Sequence, residues 1–82
     1  MTLKSLEKII KYRSTYTGTK ETDFLYKKYF INNIKNFSKN DLILLISIFD
    51  CYSDNEIYLI LCDKLKPKKK FSELFNKIKK FS

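Results

Sequence analysis

The chain has 82 residues, a length that allows one domain with a single core. It contains no His, two Cys and one Gly. Without an imidazole it has neither a Ser-His-Asp nor a Cys-His nucleophile, and two cysteines are too few for a Cys₄ zinc site. One glycine also excludes a glycine-rich phosphate loop. An independent enzyme is therefore not expected, and the prediction is a small helper or binding domain over residues 1–82.

The net charge of +8 is concentrated near the C-terminal end. Residues 64–80 hold eight lysines against one acid, a net charge of +7, whereas residues 1–63 are nearly neutral. Such a segment favours an acidic protein surface, nucleic acid or anionic lipid, without choosing among them. The most apolar stretch, Leu42 to Phe49, is far too short to span a membrane. The two cysteines are interpreted as thiols in a reducing cytoplasm.

Apolar residues spaced three and four apart predict helices along the chain. The first helix has one apolar stripe, which consists of Leu3, Leu6, Ile9 and Ile10. We expect this helix to fray near Tyr12 or Arg13. The following stretch, residues 14–18, is rich in Ser, Thr and Gly and is interpreted as a connection. Within it, Gly18 suits a helix cap or a tight turn that needs positive φ.

A second helix is predicted to begin near Thr19, with Glu21 and Asp23 in its first turn, where carboxylates complement the helix dipole. Its broad aromatic-rich face consists of Phe24, Tyr26, Tyr29, Phe30, Ile34 and Phe37. Ser38 is the predicted cap of a third helix, which runs over about residues 41–51. Because this third helix is apolar almost all round, it is predicted to be the central and most buried element.

Ser53 with Glu56 predicts a capping box at the start of a fourth helix, which should stop before Pro67. A last helix is predicted over about residues 69–81. Its apolar face consists of Phe71, Leu74, Phe75, Ile78 and Phe81. These five short helices predict an all-α fold, a compact five-helix bundle in a single domain.

The segment from Tyr12 to Asp23 concentrates the unusual residues: the one Arg, the one Gly and two carboxylates at one helix junction. Glu21 and Asp23 diverge by about 200° around a helix, so they are not expected to form an acid-base pair. One interpretation is purely structural. In it the acids begin the second helix, Gly18 caps the first, and Arg13 pairs with one acid.

The same segment also resembles a family signature, that of the SdhE-type succinate dehydrogenase assembly factors, or flavinators. These are small five-helix proteins of about this length. The matching pattern in this chain is Arg13-Ser14-x-x-x-Gly18-x-x-Glu21-x-Asp23. A second family feature, Asp-Pro-Asp-Leu at the start of a later helix, is similar to Asp54-Asn55-Glu56-Ile57.

The chain departs from the family pattern at three further positions. The two arginines that normally precede the motif glycine are Tyr16 and Thr17 here. The tryptophan usual in the fourth helix is replaced by Ile60. The resemblance therefore supports the fold more strongly than it supports the activity.

The resemblance implies an assembly factor that binds the flavoprotein subunit of succinate dehydrogenase and, in some organisms, of fumarate reductase. It would promote covalent attachment of FAD to a histidine of that subunit. FAD is then the client's cofactor, and none is expected to be bound stably by this chain. A monomer is expected when the chain is free, with no nucleic acid and no membrane span. The partner-binding residues implied by the matched positions are Arg13, Ser14, Gly18, Glu21, Asp23, Asp54 and Glu56.

The basic last helix supports an alternative, a module that binds nucleic acid or an acidic protein surface. The chain has no recognisable nucleic-acid motif and no second Arg to contact bases. We therefore favour a solvated lysine face on a helix whose apolar side packs on the bundle. The same helix could also lie on an anionic membrane if its phenylalanines were exposed.

Overall fold

The structure is a computed structural model that describes residues 2–15 and 17–80. These residues form five α-helices: α1 (Leu3–Thr15), α2 (Lys20–Tyr26), α3 (Lys39–Cys51), α4 (Asp54–Leu61) and α5 (Lys69–Lys80). A π-helical turn (Lys27–Ile31) and a 3₁₀ turn (Ile34–Asn36) lie between α2 and α3. The predicted all-α bundle is confirmed. Tyr16 and Phe81 lie outside the described residues.

Helix α1 extends beyond its predicted end. The sequence predicts a connection from Ser14 onward, but Ser14 and Thr15 continue the helix. The Thr15 hydroxyl donates a hydrogen bond to the Lys11 carbonyl at 2.7 Å, and Ser14 is buried in the bundle. Burial of Ser14 and the side-chain hydrogen bond of Thr15 outweigh the weak helix propensity of Ser and Thr, which is why the prediction is wrong here.

The predicted second helix is interrupted after Tyr26. Residues 27–31 form a π-helical turn, in which the Asn32 amide donates to the Lys27 carbonyl at 2.9 Å. Tyr26 and Phe30 are fully buried, but the Phe24 side chain is 68% exposed. Since residues two apart point to opposite sides of a helix, Phe24 cannot share the buried face of Tyr26. The predicted aromatic face is therefore wrong at Phe24.

Helix α3 packs against both α1 and α5, so its predicted central place is confirmed. The prediction that it is the most buried helix is wrong, because four of its thirteen residues are buried against four of twelve in α5. Leu42, Leu45 and Ile48 are fully buried, whereas Ile43 is 48% exposed, so one side of α3 faces solvent. At its C-terminal end Phe49 joins an aromatic cluster with Tyr26 and Phe30. The ring centroids in this cluster are 5.1–5.7 Å apart. The cluster joins the α2 segment to α3 through packed apolar surface.

The predicted cap at Ser38 and the predicted capping box at Ser53 are both confirmed, and Ser38 also takes part in a capping box. The side chains of Ser38 and Ser53 cap α3 and α4, and the third residue of each helix, Asp41 or Glu56, returns the hydrogen bond. The cap sets the start of α3 at Lys39, two residues before the predicted start.

Helix α4 ends at Leu61, well before Pro67. Asp63 adopts a φ of 61°, its amide donates to the Ile60 carbonyl at 3.1 Å, and the Lys64 amide donates to the Leu59 carbonyl at 2.8 Å. This pair of bonds is a Schellman motif, which stops the helix without the proline.

Helix α5 buries the predicted face, and Phe71, Leu74, Phe75 and Ile78 all lie in the core. Its phenylalanines at positions 71 and 75 are each 1% exposed, so they are not available to a membrane. No helix within residues 2–15 and 17–80 has both the length and the apolar content that crossing a bilayer requires.

Asp41 joins two helices and should make stability depend on pH. It accepts a hydrogen bond from the Ser38 amide at 3.1 Å and forms an ion pair with Lys77 of α5. Burial raises the pKa of Asp41, but the hydrogen bonds from Lys77 and Ser38 outweigh that effect, and the net shift is downward. Stability from this carboxylate is therefore present above its unfolded pKa of about 3.9 and is lost as pH falls through the lower folded value.

Asp41→Asn should lower the free energy of unfolding by about 1 kcal/mol at pH 7. Urea unfolding at pH 7 and pH 3 measures the effect, and the difference from the wild type should shrink at pH 3. Glu73→Gln, which removes one acid from an exposed position of α5, is the control and should change stability little at either pH. A deficit of Asp41→Asn that is equal at both pH values would contradict the assignment.

Candidate partner-binding surface

The connection between α1 and α2 is held by hydrogen bonds on both sides of Gly18. The Thr17 amide donates to Asp23 Oδ1 at 3.3 Å, and the Thr17 hydroxyl donates to the same oxygen. The Thr19 side chain caps α2 by accepting from the Thr22 amide at 3.3 Å. Gly18 lies between these contacts with a φ of 90°, a conformation that other residues rarely adopt.

Gly18 is exposed, and a Cβ atom added there would meet nothing within 4 Å. No neighbouring atom of the chain would collide with a side chain at this position. Within the free protein the reason for a glycine is therefore its positive φ. The space outside this backbone is open to a second molecule. The positive φ predicted for Gly18 is confirmed, whereas close approach of a partner there stays a prediction.

Arg13 binds the C-terminal end of α3. Its Nη1 lies 3.2 Å from Asp50 Oδ1, and its Nη2 donates to the Phe49 carbonyl at 2.9 Å. The guanidinium carbon also lies 5.2 Å from the centre of the Phe49 ring. The planar guanidinium reaches these two acceptors with two separate nitrogens, whereas a lysine has a single nitrogen, and this difference gives the chain's one Arg a structural reason. The expected pairing with an acid is therefore present, but the acid is Asp50 rather than Glu21 or Asp23.

Ser14, the next predicted site residue, is 1% exposed. Its hydroxyl oxygen has no hydrogen-bond partner among the described residues. A buried side chain of this kind cannot contact a partner unless α1 moves. The low exposure of Ser14 therefore does not support its prediction as a partner-binding residue.

Asp54 and Glu56 occupy the first turn of α4 and both make internal contacts. The buried Tyr26 hydroxyl donates to Asp54 Oδ1 at 2.9 Å, which ties α2 to α4. Burial and this carboxylate together raise the pKa of Tyr26 above its ordinary value. Glu56 Oε1 accepts from the Ser53 amide at 2.9 Å, as the capping box requires, while its side chain stays at the surface.

A surface groove runs between α2 and α4. Its first part, about 530 Å³, begins at the Gly18 connection and is lined by Thr17, Thr19, Glu21, Thr22, Asp54, Asn55 and Tyr58. Its second part, about 380 Å³, is lined by Lys20, Glu21, Phe24, Leu25, Tyr58 and Cys62. Because Glu21 and Tyr58 line both parts, they form one continuous surface. We call it the α2–α4 groove.

The α2–α4 groove combines two carboxylates with an exposed aromatic ring. Glu21 and Asp54 lie in the part nearest Gly18, and Phe24 lies in the other part. The pKa of Tyr58 is raised above its ordinary value. The main cause is the neighbouring Cys62 side chain, and burial and the charge of Glu21 add to the effect. Such a surface can hold a basic group beside an apolar one.

The structure brings together only part of the predicted set. Glu21 and Asp54 line the groove, and Gly18 borders it between two lining threonines. Asp23 fixes the connection, whereas Arg13, Ser14 and Glu56 do not line the groove. Sequence analysis missed Phe24 and Tyr58 as surface residues. Their helical spacing could have indicated this, because residues three or four apart lie on the same face of a helix. Phe24 is three residues after Glu21, and Tyr58 is four residues after Asp54.

Comparison with known proteins gives one match. The family model for Sdh5, described as the flavinator of succinate dehydrogenase, matches residues 8–82. No curated protein and no solved structure matches the chain. Since the match covers all but the first seven residues, the chain belongs to the Sdh5 family of succinate dehydrogenase flavinators.

Proposed function

We propose that the chain binds the flavoprotein subunit of succinate dehydrogenase through the α2–α4 groove and thereby promotes covalent attachment of FAD to that subunit. The observation that carries the proposal is the family match over residues 8–82. The structure adds a surface lined by the motif residues Glu21 and Asp54, and Gly18 lies between two of its lining residues, Thr17 and Thr19.

The chemistry of the groove supports a defined protein partner. An aromatic side chain as exposed as Phe24 has apolar area available for a pocket on the client. Glu21 and Asp54 can accept charge-assisted hydrogen bonds from client Arg or Lys side chains. The internal hydrogen bonds of Thr17 and Thr19 fix the connection beforehand, so less conformational entropy is lost on binding.

A helper of this kind acts by positioning. Attachment of FAD requires a client histidine to be held against the flavin, and a bound partner can fix that geometry. In this proposal the bond-forming groups belong to the client, and this chain contributes a rigid surface without binding FAD stably. The free thiols of Cys51 and Cys62 support a reducing compartment such as the cytoplasm.

Co-expression tests the proposal directly. The chain is produced with its own organism's succinate dehydrogenase flavoprotein subunit, in cells that lack their native assembly factor. Covalent flavin is measured as fluorescence of the denatured subunit. The wild type should raise this signal, Glu21→Arg should reduce it at least tenfold by placing a cation in the acidic groove, and Glu73→Arg on α5 should match the wild type.

Two outcomes would count against the proposal in different ways. No signal with soluble wild-type chain would contradict the flavinator function. Equal signals from the wild type and Glu21→Arg would keep the function but reject the α2–α4 groove as the docking surface.

A further inference from the structure

The strongest charge on the molecule lies outside the groove, in residues 64–70. This segment, which we call the lysine loop, ends with the first two residues of α5. Five of its seven residues are lysines, and none is acidic. Farther along α5, Lys77 pairs with Asp41 and Lys79 pairs with Asp63. None of the ion pairs among the described residues involves a lysine of the loop. The loop therefore carries positive charge that the fold does not neutralise.

The fold holds the lysine loop at both ends. The Schellman motif at Asp63 fixes its start, where the Lys64 amide bonds to the Leu59 carbonyl. Near its other end, the Lys68 amide donates to the Tyr52 hydroxyl at 2.8 Å. The Tyr52 ring packs on Phe71 with centroids 5.9 Å apart. The lysines are thus presented on an anchored turn.

An apolar side chain lies between the charges. Leu65 is 39% exposed and is flanked by Lys64 and Lys66. The aromatic side chains on the apolar face of α5 are buried in the core. Leu65 is therefore the large apolar side chain that this basic region can present to a partner. Lysines around an exposed leucine match the chemistry of a bilayer surface, which has anionic headgroups above an apolar layer.

Nucleic acid fits this loop less well. Base recognition and single-strand binding use guanidinium groups or exposed aromatic rings, and residues 64–70 contain neither. The one aromatic neighbour at the end of the loop, Phe71, is buried beside Lys70.

We propose that the lysine loop docks the protein on anionic lipid, with its lysines at the headgroups and Leu65 at the edge of the acyl layer. Charge would also orient the molecule. Asp54 begins α4 and the loop follows its end, so the acidic end of the groove and the lysine loop are separated by a helix of about 12 Å. An anionic surface attracts the lysine loop and repels Glu21 and Asp54, which leaves the acidic part of the groove directed away from the membrane.

A tryptophan reporter tests insertion. The chain has no Trp, so Leu65→Trp supplies a single indole at the proposed contact. Its emission should shift to the blue on addition of vesicles that contain phosphatidylglycerol and should not shift with phosphatidylcholine alone. Ile43→Trp, at an exposed position of α3, is the matched control and should not shift. Absence of a shift for Leu65→Trp, or equal shifts at both positions, would overturn the proposal.

Two variants that lose the same net charge separate the effect of the lysine loop from the effect of net charge alone. Lys64, Lys66 and Lys68 are changed together to Gln, and the control changes Lys4, Lys8 and Lys11 of α1 in the same way. At physiological salt the loop variant should bind anionic vesicles about 100-fold more weakly in co-sedimentation, because each lysine near the surface contributes about 1 kcal/mol to binding. The control should lose about threefold or less, because distant charges are screened. Equal losses, or tighter binding of wild type to a DNA duplex than to vesicles, would overturn it.

Discussion

Gly18→Arg should abolish covalent flavin attachment to the client while leaving helical content unchanged. Gly18 lies at the border of the α2–α4 groove between Thr17 and Thr19, both of which line it. A side chain there would project into space that is open in the free chain. It would therefore collide with a partner seated on the groove and not with the chain itself. The co-expression assay measures the result, with circular dichroism as the measure of folding.

Two further variants separate bulk from backbone strain at this position. Gly18→Ala adds little volume but strains a φ of 90°, so it should cost about 1–2 kcal/mol of stability. Gly18→Asn tolerates positive φ better and adds more volume. If a partner approaches closely, Asn should reduce flavin attachment more than Ala does, although Ala should lower the melting temperature more. Wild-type attachment with Gly18→Arg would contradict the close approach.

Local signals explain what the sequence predicted well. A capping box needs only a serine and an acid three residues apart, so Ser53 marked the start of α4 correctly. Ser38 is also the cap of α3 as predicted, although that helix begins two residues before the predicted start. Likewise, the apolar spacing of α5 identified its buried face, since an amphipathic helix has only one side that can pack. The connection at Gly18 followed from the one residue that accepts positive φ without strain.

Contacts between distant residues explain the rest. The partner of Arg13 is Asp50, 37 residues away, and no local pattern distinguishes Asp50 from the other acids. The hydrogen bond from Tyr26 to Asp54 likewise crosses 28 residues. The π-helical turn after Tyr26 changes which aromatic residues share a face, and the sequence carries no clear mark of it. The groove itself exists only because α2 and α4 pack side by side.

Phe30→Ala is expected to cause the largest loss of stability in the molecule, about 3–5 kcal/mol. The Phe30 ring is fully buried and lies 5.1 Å from the Tyr26 ring and 5.7 Å from the Phe49 ring. Its removal leaves a cavity in the cluster that joins the α2 segment to α3. A chain of this length has roughly 4–12 kcal/mol in total, so about a quarter or more of it would be lost. Urea unfolding measures the change.

Phe24→Ala is the matched control, because it makes the same chemical change six residues earlier at a position that is 68% exposed. It should alter the free energy of unfolding by no more than about 0.5 kcal/mol. If Phe24 is an anchor of the α2–α4 groove, the same variant should weaken client binding about 30-fold, since a central aromatic anchor contributes about 2 kcal/mol or more. A stable Phe24→Ala with wild-type binding would place the docking surface elsewhere. Loss of stability at Phe30 and loss of binding at Phe24 would instead show that one short segment uses opposite sides for the core and for the client.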